Sequence, residues 1–272
     1  MIEILKSILL GIVEGIPEWL PISSTGHMIL VNELINNNGF TNSDLYLYVI
    51  QLGAILAVVT LYFKKLNPFS PSKTAEEKKD TWQMWFKVIV ACIPAAVIGL
   101  ALDDLMDKIE NWQVVCATLL IYGIAFIVVE NMKKTPTLTS MNSMTYKTAL
   151  IIGLFQVLSI VPGTSRSGAT ILGAILLGAS RELAAEFSFF LAIPVMFGVS
   201  FLKIVSNYEL ITPDNIITLL IGMAVAYVVS MLSMKFLVEY VKKHDFKVFG
   251  VYRIILAVVV FVFFAVKALT AA

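Results

Sequence analysis

A chain of 272 residues that is 58% hydrophobic and only 14% charged, with a mean hydropathy of +0.86, lies outside the range of soluble globules, which hold roughly 45–50% apolar and about 25% charged residues. A water-exposed globule is therefore excluded, and the bilayer is the solvent. Twenty Lys and Arg against nineteen Asp and Glu leave a net charge of +1, which removes any bulk electrostatic case for a nucleic-acid partner. The first apolar run leads straight into acidic and hydroxyl residues without a small-residue cleavage site, so it is expected to belong to the mature protein and not to a removed signal. Cys92 and Cys116 fall inside apolar runs and are expected to be buried small hydrophobes, neither a disulfide nor a metal pair.

In chain order, the first element is an apolar region over about 3–35, broken near its middle at Pro21-Ile22-Ser23-Ser24-Thr25-Gly26. Three apolar segments follow, at roughly 46–63, 84–102 and 112–130, each close to the 20 or so residues a membrane helix needs. A second broken region, about 147–179, is interrupted at Pro162-Gly163-Thr164-Ser165-Arg166-Ser167-Gly168. Three more spans come after it, at roughly 185–205, 215–238 and 249–269. Non-helical backbone at membrane depth is tolerated only where protein or a water-filled cavity satisfies it, so both broken regions read as re-entrant helical hairpins lining a site.

The two hairpins align at a constant offset of 142: Gly11 with Gly153, Glu14 with Gln156, Ser23 with Ser165, Gly26 with Gly168, and Ile29-Leu30 with Ile171-Leu172. A hairpin returns to its own side and three spans change sides, so the second half is expected to be inverted. The fold class is thus all-α integral membrane, a single membrane domain over 1–272, with a first repeat over 1–131 and an inverted second repeat over 142–272. With the N-terminus on one side, the loops of the other side hold twelve Lys and Arg, namely Lys64, Lys65, Lys73, Lys78, Lys79, Lys133, Lys134, Lys147, Arg181, Lys242, Lys243 and Lys247. The loops of the N-terminal side hold Lys108 alone, beside Asp103, Asp104, Asp107 and Glu110. The positive-inside rule then makes the lysine-rich side cytoplasmic and turns both termini and the first hairpin's mouth outward.

Few charges lie within the apolar mass. Glu14 and Glu18 are one helical turn apart and are expected to share a face of the first half-helix, with His27 just past the break. Each ionised group at mid-membrane costs roughly 2.5–3.5 kcal/mol on insertion scales, so Glu14, Glu18 and Arg166 read as functional. Ser23, Ser24, Thr25 and Gly26 open one helix, and Ser165, Arg166, Ser167 and Gly168 open another. Free N–H groups at a helix start attract an anion, and a guanidinium grips phosphate oxygens in bidentate fashion, so the two starts together suit a multiply charged phosphate. The carboxylate pair Glu14/Glu18 offers hard oxygen ligands to Mg²⁺ or Ca²⁺ in preference to zinc. Ser24 with His27 as base, or His27 directly, would attack phosphorus, and the spacing leaves both routes open.

The run Glu14-Gly15-Ile16-Pro17-Glu18-Trp19-Leu20-Pro21-Ile22-Ser23-Ser24-Thr25-Gly26-His27 and the run from Pro162 to Thr170 closely resemble the two signature motifs of the bacterial undecaprenyl-diphosphate phosphatase family, also known as the bacitracin-resistance family. The resemblance covers the full length. It implies hydrolysis of undecaprenyl diphosphate to the monophosphate and inorganic phosphate on the outer face of the plasma membrane, recycling the carrier for cell-wall polymers. It also implies dependence on Mg²⁺ or Ca²⁺, and a functional set of Glu14, Glu18, Ser23, Ser24, Thr25, His27, Ser165, Arg166 and Ser167. One departure is visible: Asn142-Ser143 stand where some members carry an Asp, so no catalytic acid is expected there.

Lesser expectations complete the reading. Gln51 is expected either to hydrogen-bond substrate oxygens or to join helices. Glu186 is expected to pair with Arg166 or Arg253, Lys235 with Glu239 at i,i+4, and His244 to be solvated. Phe261-Val262-Phe263-Phe264 is expected to face lipid. Partners are a polyprenyl diphosphate lipid and the bilayer, with a homodimer as the default assembly. The rival reading is a transporter or flippase of an anionic isoprenoid lipid, because inverted repeats with broken helices are transporter architecture.

Overall fold

The computed structural model describes residues 1–109 and 111–270. The side chains of Leu100 and of residues 103–108 fall outside that description, so the loop charges read above, Asp103, Asp104, Asp107, Lys108 and Glu110, lie outside the described residues. Helices make up the fold: α1 (Ile2–Gly15), α2 (Ser24–Leu34), α3 (Asp44–Leu61), the single turn α4 (Phe63–Leu66), α5 (Ala75–Ile109), α6 (Trp112–Asn131), α7 (Tyr146–Val157), α8 (Arg166–Leu176), α9 (Arg181–Ser206), α10 (Pro213–Val241) and α11 (Lys247–Thr270). No strand is present among the described residues, where a lone bridge joins Leu138 and Ala179.

Among the described residues, six helices are long and apolar enough to cross a membrane: α3, the Ala75–Gly99 part of α5, α6, α9, α10 and α11. They coincide with the six predicted spans, and the chain is a multi-pass membrane protein. The two broken regions became the short pairs α1/α2 and α7/α8.

Local chemistry explains the boundaries. Ser43, Asn111 and Ser180 cap α3, α6 and α9 by accepting from the N–H of Tyr46, Val114 and Leu183, and Pro213 starts α10, where its missing N–H costs nothing. Helix α5 begins nine residues before its predicted span, at Ala75 instead of 84. Thr74 and Glu77 form a reciprocal capping box there, with Thr74 N donating to Glu77 Oε2 at 2.7 Å and Glu77 N to Thr74 Oγ1 at 3.2 Å. Hydropathy could not register this polar start.

The pairings are α1 on α10, α7 on α5, α3 on both α9 and α10, and α6 on α11. Small residues allow the closest of these. A Cβ on Gly53 would run into the Met223 carbonyl of α10, and one on Gly153 into the Ala91 carbonyl of α5, the close backbone approach that drives association where lipid offers no hydrophobic gain. Large side chains such as Ile121, Phe197, Phe201, Leu232 and Phe236 remain exposed on the outer faces of the spans, as expected of a lipid-facing surface.

Several expectations are corrected. Glu186 pairs with Lys65 at 2.6 Å, not with Arg166 or Arg253, because it sits at the lysine-rich end of α9. Glu239 takes Lys242 at 2.6 Å in place of Lys235. Cys92 and Cys116 are free thiols, half-buried instead of buried. Phe261 and Val262 are exposed, but Phe264 stacks on Trp112 with ring centroids 5.4 Å apart and so faces α6, not lipid. His244 is exposed as expected, stacked on Tyr240. Asn142 donates to Asp80 at 2.7 Å, a loop tie.

The glycine contacts generate a stability test. Gly53→Leu, which overpacks the α3–α10 contact, is expected to cost about 1–3 kcal/mol and to lower the unfolding temperature in detergent. Gly198→Leu meets nothing within 4 Å of the added Cβ and is expected to leave that temperature unchanged.

Candidate functional site

The two breaks share one local geometry. Ser23 and Ser165 both have φ of 73°, with ψ of 101° and 121°, a region that residues with a Cβ seldom enter. Each caps the following helix: Ser23 Oγ accepts from Gly26 N at 3.2 Å and Ser165 Oγ from Gly168 N at 3.1 Å. A helix N-terminus with unpaired N–H groups thus opens at each break.

The first half-helix ends earlier than the sequence suggested. Helix α1 stops at Gly15, so Glu18 lies beyond it and not in it. Hydrogen bonds from Glu18 N to the Glu14 carbonyl and from Leu20 N to the Ile16 carbonyl, at 3.3 and 3.4 Å, continue a helical turn through the segment. Both carboxylates are therefore buried on a continuing turn, though Pro17 and Pro21 prevent a regular helix.

The predicted residues converge around Glu18. Its Oε1 accepts from Arg166 Nη2 at 2.8 Å and its Oε2 from Ser24 Oγ at 2.9 Å. The ion pair joins the two hairpins across 148 positions of sequence, with side chains only 10% and 11% exposed. Arg166 also donates to the Ser188 carbonyl at 2.8 Å and lies over the Trp19 ring, 5.7 Å from its centroid. Glu14 is within Coulombic reach of both Glu18 and Arg166.

Among the described residues, the buried atoms with no hydrogen-bond partner at this centre include Glu14 Oε1, Arg166 Nε and Trp19 Nε1. A buried carboxylate oxygen left open is an acceptor for a cation, and a buried guanidinium N–H left open is a donor for an anion. Among the described residues no cluster of three or more metal-binding side chains exists. The Glu14/Glu18 pair has the oxygen donors that suit a hard divalent ion, which commonly takes one or two carboxylates and completes its shell with substrate phosphate and water.

Other predicted residues divide. Ser167 is buried and donates to the Glu18 carbonyl at 3.0 Å, so its hydroxyl ties the hairpins together. Ser165 Oγ lies 3.1 Å from Ser167 Oγ. Thr25 is half-buried at the start of α2. Gln51 is half-buried in α3 and makes no side-chain hydrogen bond among the described residues, so nothing ties it to this centre. His27 makes no hydrogen bond to Ser24 among the described residues. Its Nδ1 lies 2.7 Å from the Ser23 carbonyl and its Nε2 2.7 Å from the Tyr252 hydroxyl.

Sequence reasoning missed two residues of α11. Tyr252 is one. Arg253 is the other: fully buried, it donates to the carbonyl oxygens of Pro21 at 3.2 Å, Gly163 at 2.8 Å and Thr164 at 3.0 Å. One guanidinium thus satisfies backbone of both breaks, and Thr118 adds a bond to the Pro162 carbonyl at 2.7 Å. An Arg within the apolar run of a span was the available signal. Two cavities, of about 230 and 520 Å³, open among the lysine-rich loops and contain none of the predicted site residues.

Comparison with known proteins adds an independent observation. The family profile described as bacitracin resistance protein BacA matches residues 7–259. The chain is 58% identical over 261 residues to an undecaprenyl-diphosphatase of Enterococcus faecalis, covering 93% of this chain and 95% of that protein. It is 55% identical over 267 residues to the undecaprenyl-diphosphatase of Lactobacillus delbrueckii subsp. bulgaricus, covering 96% and 97%, and 56% identical over 272 residues to that of Desulfitobacterium hafniense, covering 98% of each.

The paired caps predict an inversion of the usual substitution order. Ser165→Gly loses a cap that is worth only a few tenths of a kcal/mol over Gly and relieves a positive-φ strain of about 1 kcal/mol, so thermal unfolding is expected at or above the parent temperature. Ser165→Ala keeps the strain and loses the cap, and is expected to be less stable by about 1 kcal/mol.

Proposed function

The chain belongs to the bacitracin resistance protein family, and on that premise we propose that it is a membrane phosphatase that hydrolyses undecaprenyl diphosphate to undecaprenyl phosphate and inorganic phosphate, recycling the lipid carrier of cell-wall polymers. The observation that carries the chemistry is the Ser24–Glu18–Arg166 constellation at two helix N-termini. An acyclic diphosphate needs a nucleophile, a base for its proton and cationic partners for the charge that develops, and these groups supply one of each.

In this reading the N-termini of α2 and α8 receive the diphosphate, and the open Arg166 Nε takes one of its oxygens. Ser24 Oγ attacks the distal phosphorus and passes its proton to Glu18 Oε2. The bond from that phosphorus to the bridging oxygen breaks, and undecaprenyl phosphate leaves. Water then attacks the phosphoserine phosphorus, the bond from phosphorus to Ser24 Oγ breaks, Glu18 returns its proton to that oxygen, and inorganic phosphate departs with both hydrogens of the water. The 2.9 Å contact of Ser24 with Glu18 favours this route over direct attack by His27, both of whose nitrogens are already engaged. Glu14 and Glu18 would hold Mg²⁺ or Ca²⁺, which supplies charge neutralisation for the diphosphate.

The same reading extends to topology. The matched caps and positive φ of Ser23 and Ser165 support two inverted repeats, 1–131 and 142–272. The twelve cationic loop residues opposite the N-terminal side support a site that opens to the outer face of the bacterial plasma membrane.

Purified protein in detergent is expected to release phosphate from undecaprenyl diphosphate in the presence of Mg²⁺ or Ca²⁺. Ser24→Ala and Glu18→Gln are each expected to lower kcat by about 10²–10⁴-fold. Undiminished turnover in His27→Ala combined with Arg166→Ala would overturn the reading, as would lipid movement in proteoliposomes without phosphate release, which would make the protein a transporter. Chelation is expected to abolish activity and added Mg²⁺ or Ca²⁺ to restore it, and Glu14→Gln is expected to raise the metal concentration giving half-maximal rate by about 10-fold or more.

A further inference from the structure

His27 sits in the first turns of α2, and its two ring nitrogens meet partners of different kinds. Nδ1 is 2.7 Å from the carbonyl oxygen of Ser23. A carbonyl only accepts, so Nδ1 carries the hydrogen. Nε2 is 2.7 Å from the hydroxyl of Tyr252, 225 positions away on α11. In the neutral ring Nε2 then holds a lone pair and the phenol donates to it. A second proton on the ring would put a positive charge within Coulombic reach of the buried Arg253 guanidinium, and neither group has a carboxylate partner among the described residues. The two rings lie within 10° of parallel, with centroids 5.6 Å apart, so the phenol also restricts rotation of the imidazole.

We propose that Tyr252 is a positioning residue that donates its hydroxyl proton in a hydrogen bond to His27 Nε2, and so holds the imidazole as the neutral, Nδ1-protonated ring beside the phosphate site. The inference rests on the reading of His27 as a member of that site, and it deepens that reading by specifying the ring's state and its keeper. In water the Nε2-protonated tautomer of histidine is the commoner one, so the form held here requires partners on both nitrogens. Ser23 supplies one from the first hairpin. Tyr252 supplies the other from the last helix, which means that docking of α11 completes a residue carried by α2. The ring's one lone pair is directed at the phenol, which removes Nε2 as a free nucleophile in this state and leaves Ser24, bonded to Glu18, as the group free to attack.

The chain has two histidines, which makes the test spectroscopically simple. In a His244→Gln background with ¹⁵N-labelled histidine, two-bond ¹H–¹⁵N spectra of the protein in detergent are expected to show His27 with a protonated Nδ1 and an unprotonated, hydrogen-bonded Nε2. Tyr252→Phe is expected to move the Nε2 resonance to that of an unbonded ring nitrogen, and to lower kcat for undecaprenyl diphosphate by about tenfold with KM changed less than about twofold. Site-specific 3,5-difluorotyrosine at 252 keeps the ring's size and makes it a stronger donor, so the Nε2 resonance is expected to shift the opposite way even if the Phe variant folds poorly. An Nε2 resonance unmoved by both changes, or a protonated Nε2 in the parent, overturns the proposal. Absence of phosphate release by the parent protein would instead fail the phosphatase reading and leave the nuclear resonance result standing.

Discussion

A backbone that stops being helical inside an apolar medium exposes N–H and C=O groups that lipid cannot satisfy. This chain does so twice, at Pro21–Ser23 and at Pro162–Ser165, and the rest of the architecture follows from how those groups find partners. Arg253 holds carbonyl oxygens from both breaks on one buried guanidinium. Ser167 reaches from the second hairpin to the Glu18 carbonyl of the first. Ser23 and Ser165 spend their own side chains on the N–H groups that follow. The breaks therefore stabilise each other, and neither hairpin is complete without the other half of the molecule.

That mutual dependence also creates the site. The partners that close the backbone bring Glu18, Arg166 and Ser24 within hydrogen-bond distance while leaving Glu14 Oε1 and Arg166 Nε open. A buried ion pair of this kind is weak evidence for stability, because the cost of desolvating both ions offsets much of their attraction. It is better understood as preorganisation: cationic and anionic groups fixed in place before a charged ligand arrives, in surroundings where each interaction is stronger than in water. Positive φ at two serines belongs to the same pattern, since strain of that kind persists only where neighbours over-determine the backbone.

The six spans were legible in the sequence because their apolar runs match membrane thickness, and the two breaks because Pro, Gly and Ser interrupt such runs at equal spacing. Glu14, Glu18 and Arg166 were legible for a different reason: charges in an apolar run are costly, so each one present stands out. The polar start of α5 escaped because the Thr74/Glu77 box depends on local reciprocity that hydropathy does not register. The partners of Glu186 and Glu239 were misassigned because several lysines and arginines compete for each carboxylate, and proximity alone selects among them.

Taken alone, the sequence determined that the chain crosses a membrane, how many spans it has, where its two interruptions fall and which few ionisable groups lie among apolar residues. Each of these follows from properties of contiguous residues: transfer free energy summed along a run, and turn chemistry within a few positions. Only the tertiary structure decided that Ser24 bonds to Glu18 and not to His27, that His27 answers to Tyr252, and that Arg253 is shared between the breaks. Those are contacts between residues as many as 232 positions apart, and their choice depends on which helices dock and at what register. A shift of one residue along a helix turns its side chain by about 100°, and no periodicity within a segment specifies what another segment will present to it.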